Sequence, residues 1–194
     1  MSLVNASWST VGKYRAGGSI SFGAGQSYGE AKHTAIWEKW GPDITLGLTI
    51  HLSDGNGVIV SRAGSFQLAI SAGQLIWSVT TVGGQTVNVT STKQLATGEC
   101  YTLKLTYNST AGKAKILIEN ELDASALHPL ATSAEPHVLG IAPSASSIIF
   151  GGAMVSAEDG SKSLQHSWAG AMEEIYVKNI STENRQVYIC ETLT

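Results

Sequence analysis

Apolar and polar residues alternate with a period of two along most of this chain, and few folds accept that period. In Ile44-Thr45-Leu46-Gly47-Leu48-Thr49-Ile50-His51-Leu52 every second place is apolar. Residues i, i+2 and i+4 of a strand share a face, so the leucines and isoleucines gather on one side and Thr45, Thr49 and His51 on the other. The same pattern predicts strands over 66–70, 75–79 and 101–107. Shorter runs predict them at 19–22, 58–61, 86–90, 114–119, 147–150, 174–177 and 186–189. Asp54-Gly55-Asn56-Gly57, Ala72-Gly73, Gly83-Gly84, Ala111-Gly112 and Asp159-Gly160 supply turn chemistry between them. No amphipathic helix intervenes. Alternation, as opposed to continuous apolar runs, marks half-buried antiparallel sheet, so the chain is expected to be all-β, a two-sheet antiparallel sandwich. Residues 121–146 carry Pro129, Pro136 and Pro143 and read as a long crossing connection. No repeat or internal boundary appears, and 1–194 reads as one domain, long enough to bury a core. Met1-Ser2-Leu3 reads as cloning-derived, which would make the chain a piece of a longer protein.

Composition removes several function classes. Hydrophobic residues make up 43% and charged residues 14% of the chain, which excludes disorder. A net charge of −3 with no Lys/Arg cluster argues against nucleic acid as a partner. No apolar run reaches the roughly 18 residues of a membrane span, so no membrane insertion is expected. Cys100 and Cys190 allow one disulfide or two buried thiols. The histidines are scattered singly and match no zinc spacing. Sequons at Asn5, Asn88, Asn108 and Asn179 lean toward an extracellular or cell-surface protein.

Several segments carry a family resemblance. Trp168-Ala-Gly170-Ala-Met172-Glu173-Glu174-Ile175-Tyr-Val177-Lys-Asn179 is similar to the closing strand of the laminin-G/pentraxin group of concanavalin A-like jelly rolls. Ile148-Ile149-Phe150-Gly151-Gly152 resembles the apolar strand before it. Residues 103–122 resemble its paired central strands, with Glu121 where the family has Gly, and Ser19 to Phe22 through Tyr28-Gly29-Glu30 its opening strand. More loosely, Val4-Asn-Ala-Ser-Trp8 and Gly98-Glu-Cys100-Tyr101 resemble the lectin-like C-terminal domain of trypanosomal trans-sialidases, though the hallmark Val-Thr-Val-x-Asn-Val is absent. The resemblance implies a jelly roll acting as a non-catalytic binding module for a glycan or an extracellular or surface protein. Two alternatives remain: a structural attachment domain of a surface or viral fibre, and a glycan-cleaving enzyme on the same scaffold. Many members of the group hold calcium through loop oxygens. The turn residues Asp54, Asn56, Glu158 and Asp159 are the candidates here, with no other cofactor implied.

Gly25-Gln-Ser27-Tyr-Gly29 fits the nucleophile elbow, yet that motif needs a strand-to-helix turn over a parallel sheet, and none is predicted. Glu119-Asn-Glu121-Leu-Asp123 is the sole acid set at alternate places. The family alignment puts Asn120-Glu121 in a turn, where the acids splay into water instead of facing each other as a glycosidase pair requires. Glu173 and Glu174 are adjacent on a strand and point to opposite faces. Sugar recognition needs an aromatic plane for the C–H face and hydrogen-bonding partners for the hydroxyls. Trp37 and Trp40, with Tyr28 and Arg62, are the expected carbohydrate-binding residues. Trp77 and Trp168 are expected in the core.

Overall fold

The structure is a computed structural model that describes residues 1–9, 18–34, 42–127, 139–156, 158–159, 161–178 and the backbone of 186–188. The first strands are β1 (Ser2–Val4), β2 (Ala6–Ser9), β3 (Ser19–Phe22), β4 (Tyr28–Ala31) and β5 (Ile44–Leu52). Next come β6 (Gly57–Arg62), β7 (Phe66–Ser71), β8 (Gln74–Thr80), β9 (Thr86–Gln94), β10 (Cys100–Asn108) and β11 (Lys113–Ile118). The last are β12 (Glu121–Leu127), β13 (Ile148–Phe150), β14 (Ala153–Ser156), β15 (Lys162–Gln165), β16 (Gly170–Lys178) and β17 (Gln186–Tyr188). No α-helix occurs among the described residues, and none there is long and apolar enough to cross a membrane.

Two antiparallel sheets face each other, as the alternation predicts. One has seven strands in the order β1-β4-β13-β6-β7-β8-β9. The other has eight: β12-β11-β10-β5-β16-β3-β2, with β17 also paired to β16. Their inward faces make one core, in which Ile44, Leu46, Leu48, Ile50 and Leu52 of β5 meet Leu68, Trp77 and Phe150 of the facing sheet. Each such aliphatic side chain is stabilised by about 1.5–3 kcal/mol on full burial. Trp77 and Trp168 are fully buried, and each indole N–H keeps a partner, the carbonyls of Thr106 and Asp54 at 3.3 and 3.2 Å.

The crossing connection expected over 121–146 does not begin at 121. Glu121–Leu127 is an edge strand paired to β11, because the Glu119-Asn120 turn, at φ of 52° and 67°, folds the chain back at once. Within β16 the register slips between Glu173 and Tyr176, and Glu174 takes a φ of 54°. The strand is bulged there. Glu173 is buried and Glu174 exposed, so they do separate as expected.

Candidate functional site

The outward face of the seven-stranded sheet carries two hollows. Register sets Glu30 beside Ile149, Ile149 beside Ser61, Ser61 beside Gln67 and Gln67 beside Ser78. Because directly paired residues share a face, these five form a row running across the strands. Above β6 stands the β14–β15 hairpin. It is rooted at Gly151-Gly152, where Gly151 has a φ of +83° and a Cβ would press on Phe22 at 2.6 Å. Ser61 Oγ donates to the Gly152 carbonyl at 2.8 Å and ties that root to the sheet.

Two hollows of about 340 Å³ each flank the hairpin and share Ser61, Ala63 and Met154. The first is lined also by Tyr28, Glu30, Ser146, Ser147, Ser156 and Lys162. The second is lined by Gln67, Ser78, Thr80, Thr86 and Val155, over Arg62 and Phe66. Rigid strands carry an aromatic ring, hydroxyls, an amide and one charge of each sign. That arrangement can hold a hydroxyl-rich molecule by hydrogen bonds and ring contact.

The expected binding residues are distributed unevenly. Tyr28 lines the first hollow, half-buried. Arg62 points inward and is 2% exposed. Its Nε donates to the Ser146 carbonyl at 3.3 Å, and its Nη2 to the Ser144 carbonyl, with the His33 ring nitrogen 3.5 Å away. Burial lowers its pKa from the usual guanidinium value. Arg62 therefore holds the 144–146 loop that forms one rim. Trp37 and Trp40 lie outside the described residues, as does Cys190, the other half of the possible disulfide. Sequence reasoning passed over Ser61, Gln67, Ser78, Met154 and Lys162, and met Glu30 only within a family motif. Their alternation marks Gln67 and Ser78 as outward-facing, but nothing local says which strands lie beside them.

The catalytic motifs are occupied with structure. Ser27 is 2% exposed, and its hydroxyl donates to the Asn5 carbonyl at 2.9 Å and accepts from the Gly23 N–H at 3.3 Å. A Glu119 carboxylate oxygen accepts from the Thr102 N–H at 2.8 Å. Asp123 accepts from the N–H groups of Thr92 and Lys93 and the Thr92 hydroxyl, at 2.7, 3.1 and 2.9 Å. Glu119 and Glu121 are exposed, as expected, and Asp123 is half-buried; Glu119 and Asp123 also bind neighbouring strands. The calcium candidates fit a cation poorly. Asp54 Oδ1 accepts from Asn56 N–H and Asn56 Oδ1 from Ala72 N–H, at 3.1 and 2.9 Å. Asp159, on another turn, accepts from the Ser161 N–H at 2.9 Å, and hydrogen bonding from the Ser161 hydroxyl, then from this N–H, holds its pKa below the usual carboxylate value. Among the described residues no three His, Cys, Asp or Glu converge as a metal site. Of the sequon asparagines, Asn88 and Asn108 are exposed, Asn5 donates to the Gln26 carbonyl at 3.1 Å, and Asn179 lies outside the described residues.

Residues 50–180 match the laminin G domain family. No curated protein matches the chain. Among solved structures, a proposed carbohydrate-binding protein from Bacteroides ovatus superposes with a TM-score of 0.62 at 19% identity, over 85% of this chain and 44% of that one. Domains LG4-5 of the mouse laminin α1 chain superpose with a TM-score of 0.57 at 17% identity, over 82% of this chain and 40% of theirs. A heptameric SAP-like pentraxin from Limulus polyphemus gives 0.57 at 14% identity, over 82% and 74%. The chain thus spans less than half the length of the first two.

Proposed function

The chain belongs to the laminin G domain family, and from that membership we propose that it is a non-catalytic module, spanning 1–194, that binds carbohydrate on the outward face of its seven-stranded sheet. The observation that carries this reading is the hollow in which Tyr28, Glu30 and Lys162 converge beside serine hydroxyls. Its volume of about 340 Å³ falls at the lower end of small-ligand sites. Tyr28 offers a ring to a sugar's C–H face, while Glu30 and Lys162 accept from and donate to its hydroxyls. Arg62 acts as a positioning residue through the 144–146 loop. Trp37 and Trp40, outside the described residues, stay part of the proposal as stacking residues for a sugar. The reading is non-catalytic because Glu119 and Asp123 are committed to backbone N–H groups of other strands. The setting that suits such a module is extracellular or at the cell surface, with a glycan or a glycan-bearing surface protein as partner.

A glycan array, run with and without calcium, tests this. Wild-type binding should fall on Tyr28→Ala and again on the Trp37→Ala/Trp40→Ala double variant. Binding that survives all three substitutions would move the site elsewhere, and a wild-type chain that retains no glycan would end the reading.

A second reading, a structural attachment domain, draws on one feature. Trp8, Leu122 and Leu127 are 50%, 59% and 62% exposed on β2 and β12, the two edges of the eight-stranded sheet, where unpaired strands invite association. Sedimentation that reports a trimer, dissociated by Leu122→Lys, would favour it.

A further inference from the structure

Resting on the reading that this face binds carbohydrate, we infer that the site is two subsites in series and that its ligand is an extended, uncharged oligosaccharide chain. The row Glu30, Ile149, Ser61, Gln67, Ser78 crosses neighbouring strands. Four steps at about 4.8 Å each make it roughly 19 Å long, more than a single sugar ring fills. The two hollows lie along this row and share Ser61, Ala63 and Met154. Ile149 and Ser61, in the middle of the row, are buried at the foot of the hairpin, so a molecule that fills both hollows passes over the half-exposed Met154.

Met154 is the divider. It stands on β14, above a sheet to which Ser61 pins the hairpin root. Its unbranched thioether can lie against the apolar side of whichever ring crosses over it.

The chemistry of the hollows differs. The first carries Glu30 and Lys162, whose charges cancel. The second presents the Gln67 amide and the hydroxyls of Ser78, Thr80 and Thr86, with Thr80 and Thr86 already 3.2 Å apart. Its one charged lining residue, Arg62, turns its guanidinium inward to the Ser144 and Ser146 carbonyls. A polyanion is held by repeated cations along its length, and this row supplies a single lysine balanced by a glutamate. Neutral hydroxyls suit donors and acceptors of this kind.

Calorimetric titration of the intact chain decides the matter. The probes are cello-, malto-, laminari- and xylotetraose, their monosaccharides, and a heparin-derived tetrasaccharide. At least one neutral tetrasaccharide should bind about tenfold or more tighter than its monosaccharide. Gln67→Ala and Thr80→Val should remove that gain, whereas Tyr28→Ala should weaken monosaccharide and tetrasaccharide binding alike. Amide chemical shifts at Gln67 and Ser78 of the wild-type chain should move with the tetrasaccharide alone, which reads the same contact without any substitution. Equal affinity for one ring and four, or tetrasaccharide affinity indifferent to Gln67→Ala and Thr80→Val but sensitive to Tyr28→Ala, overturns the serial site and spares the carbohydrate reading. Preference for the heparin fragment overturns the neutral ligand. Silence toward every probe here and on the glycan array overturns both.

Discussion

Gly170 follows Trp168 by two residues, and a Cβ at that place would lie 2.6 Å from the His51 carbonyl and inside the Trp168 ring. The indole folds back over the glycine, packs against Phe22 with centroids 6.2 Å apart and donates to Asp54. That gives the aromatic-x-Gly motif its physical reason, since a backbone carbonyl and a fully buried ring cannot both give way. Gly170→Ala should cost about 1–3 kcal/mol, read as a lower urea midpoint at unchanged slope. Tyr107 supplies a second residue-scale test. Its hydroxyl donates to the Leu139 carbonyl at 2.6 Å, and burial, helped by Asp43, raises its pKa from 10.0 to about 12. The folded state thus favours the protonated phenol. That stability is whole below pH 10 and is lost as pH rises from 10 toward 12. Urea midpoints followed from pH 8 upward should fall more steeply for wild type than for Tyr107→Phe. Equal slopes would contradict it.

At the scale of elements, β12 shows how a sequence signal can be right in its residues and wrong in its role. Glu119, Glu121 and Asp123 stand at alternate places and invite a carboxylate pair. The positive-φ turn at Glu119-Asn120 instead sends Glu119 back toward β10 and lets Asp123 reach β9, the edge of the opposite sheet. Asp123 closes one side of the sandwich with charge-assisted bonds to Thr92 and Lys93. Asp123→Ala should lower stability by about 1–3 kcal/mol. Hydrogen exchange should then show the Thr92 and Lys93 amides losing protection before those of β10. Uniform loss across the sheet would mean that Asp123 is no local clip. The hairpin β14–β15 was half legible in the same sense. Its Gly151-Gly152 root is a plain sequence feature, yet its position over β6 depends on the Ser61 bond.

For the molecule as a whole, chain order and spatial order diverge. β16 lies between β5 and β3, and β4 between β1 and β13, so strands far apart in the chain, β3 with β16 and β4 with β13, must meet before either sheet is complete. Closing such loops comes before any reward from pairing. Refolding followed by Trp fluorescence should accordingly take milliseconds to seconds, and a microsecond phase with full amplitude would contradict this topology. The period of two determined without further help that the chain is a sandwich and which residues of β5, β7, β8 and β10 face the core. It also placed Trp77 inside, while the family motif did so for Trp168. Only the tertiary structure decided that Glu30, Ile149, Ser61, Gln67 and Ser78 share one row, and that Arg62 turns inward behind it. The reason is physical: alternation tells each strand which face is oily, but hydrogen-bond pairing decides its neighbours, and a binding surface is made of neighbours.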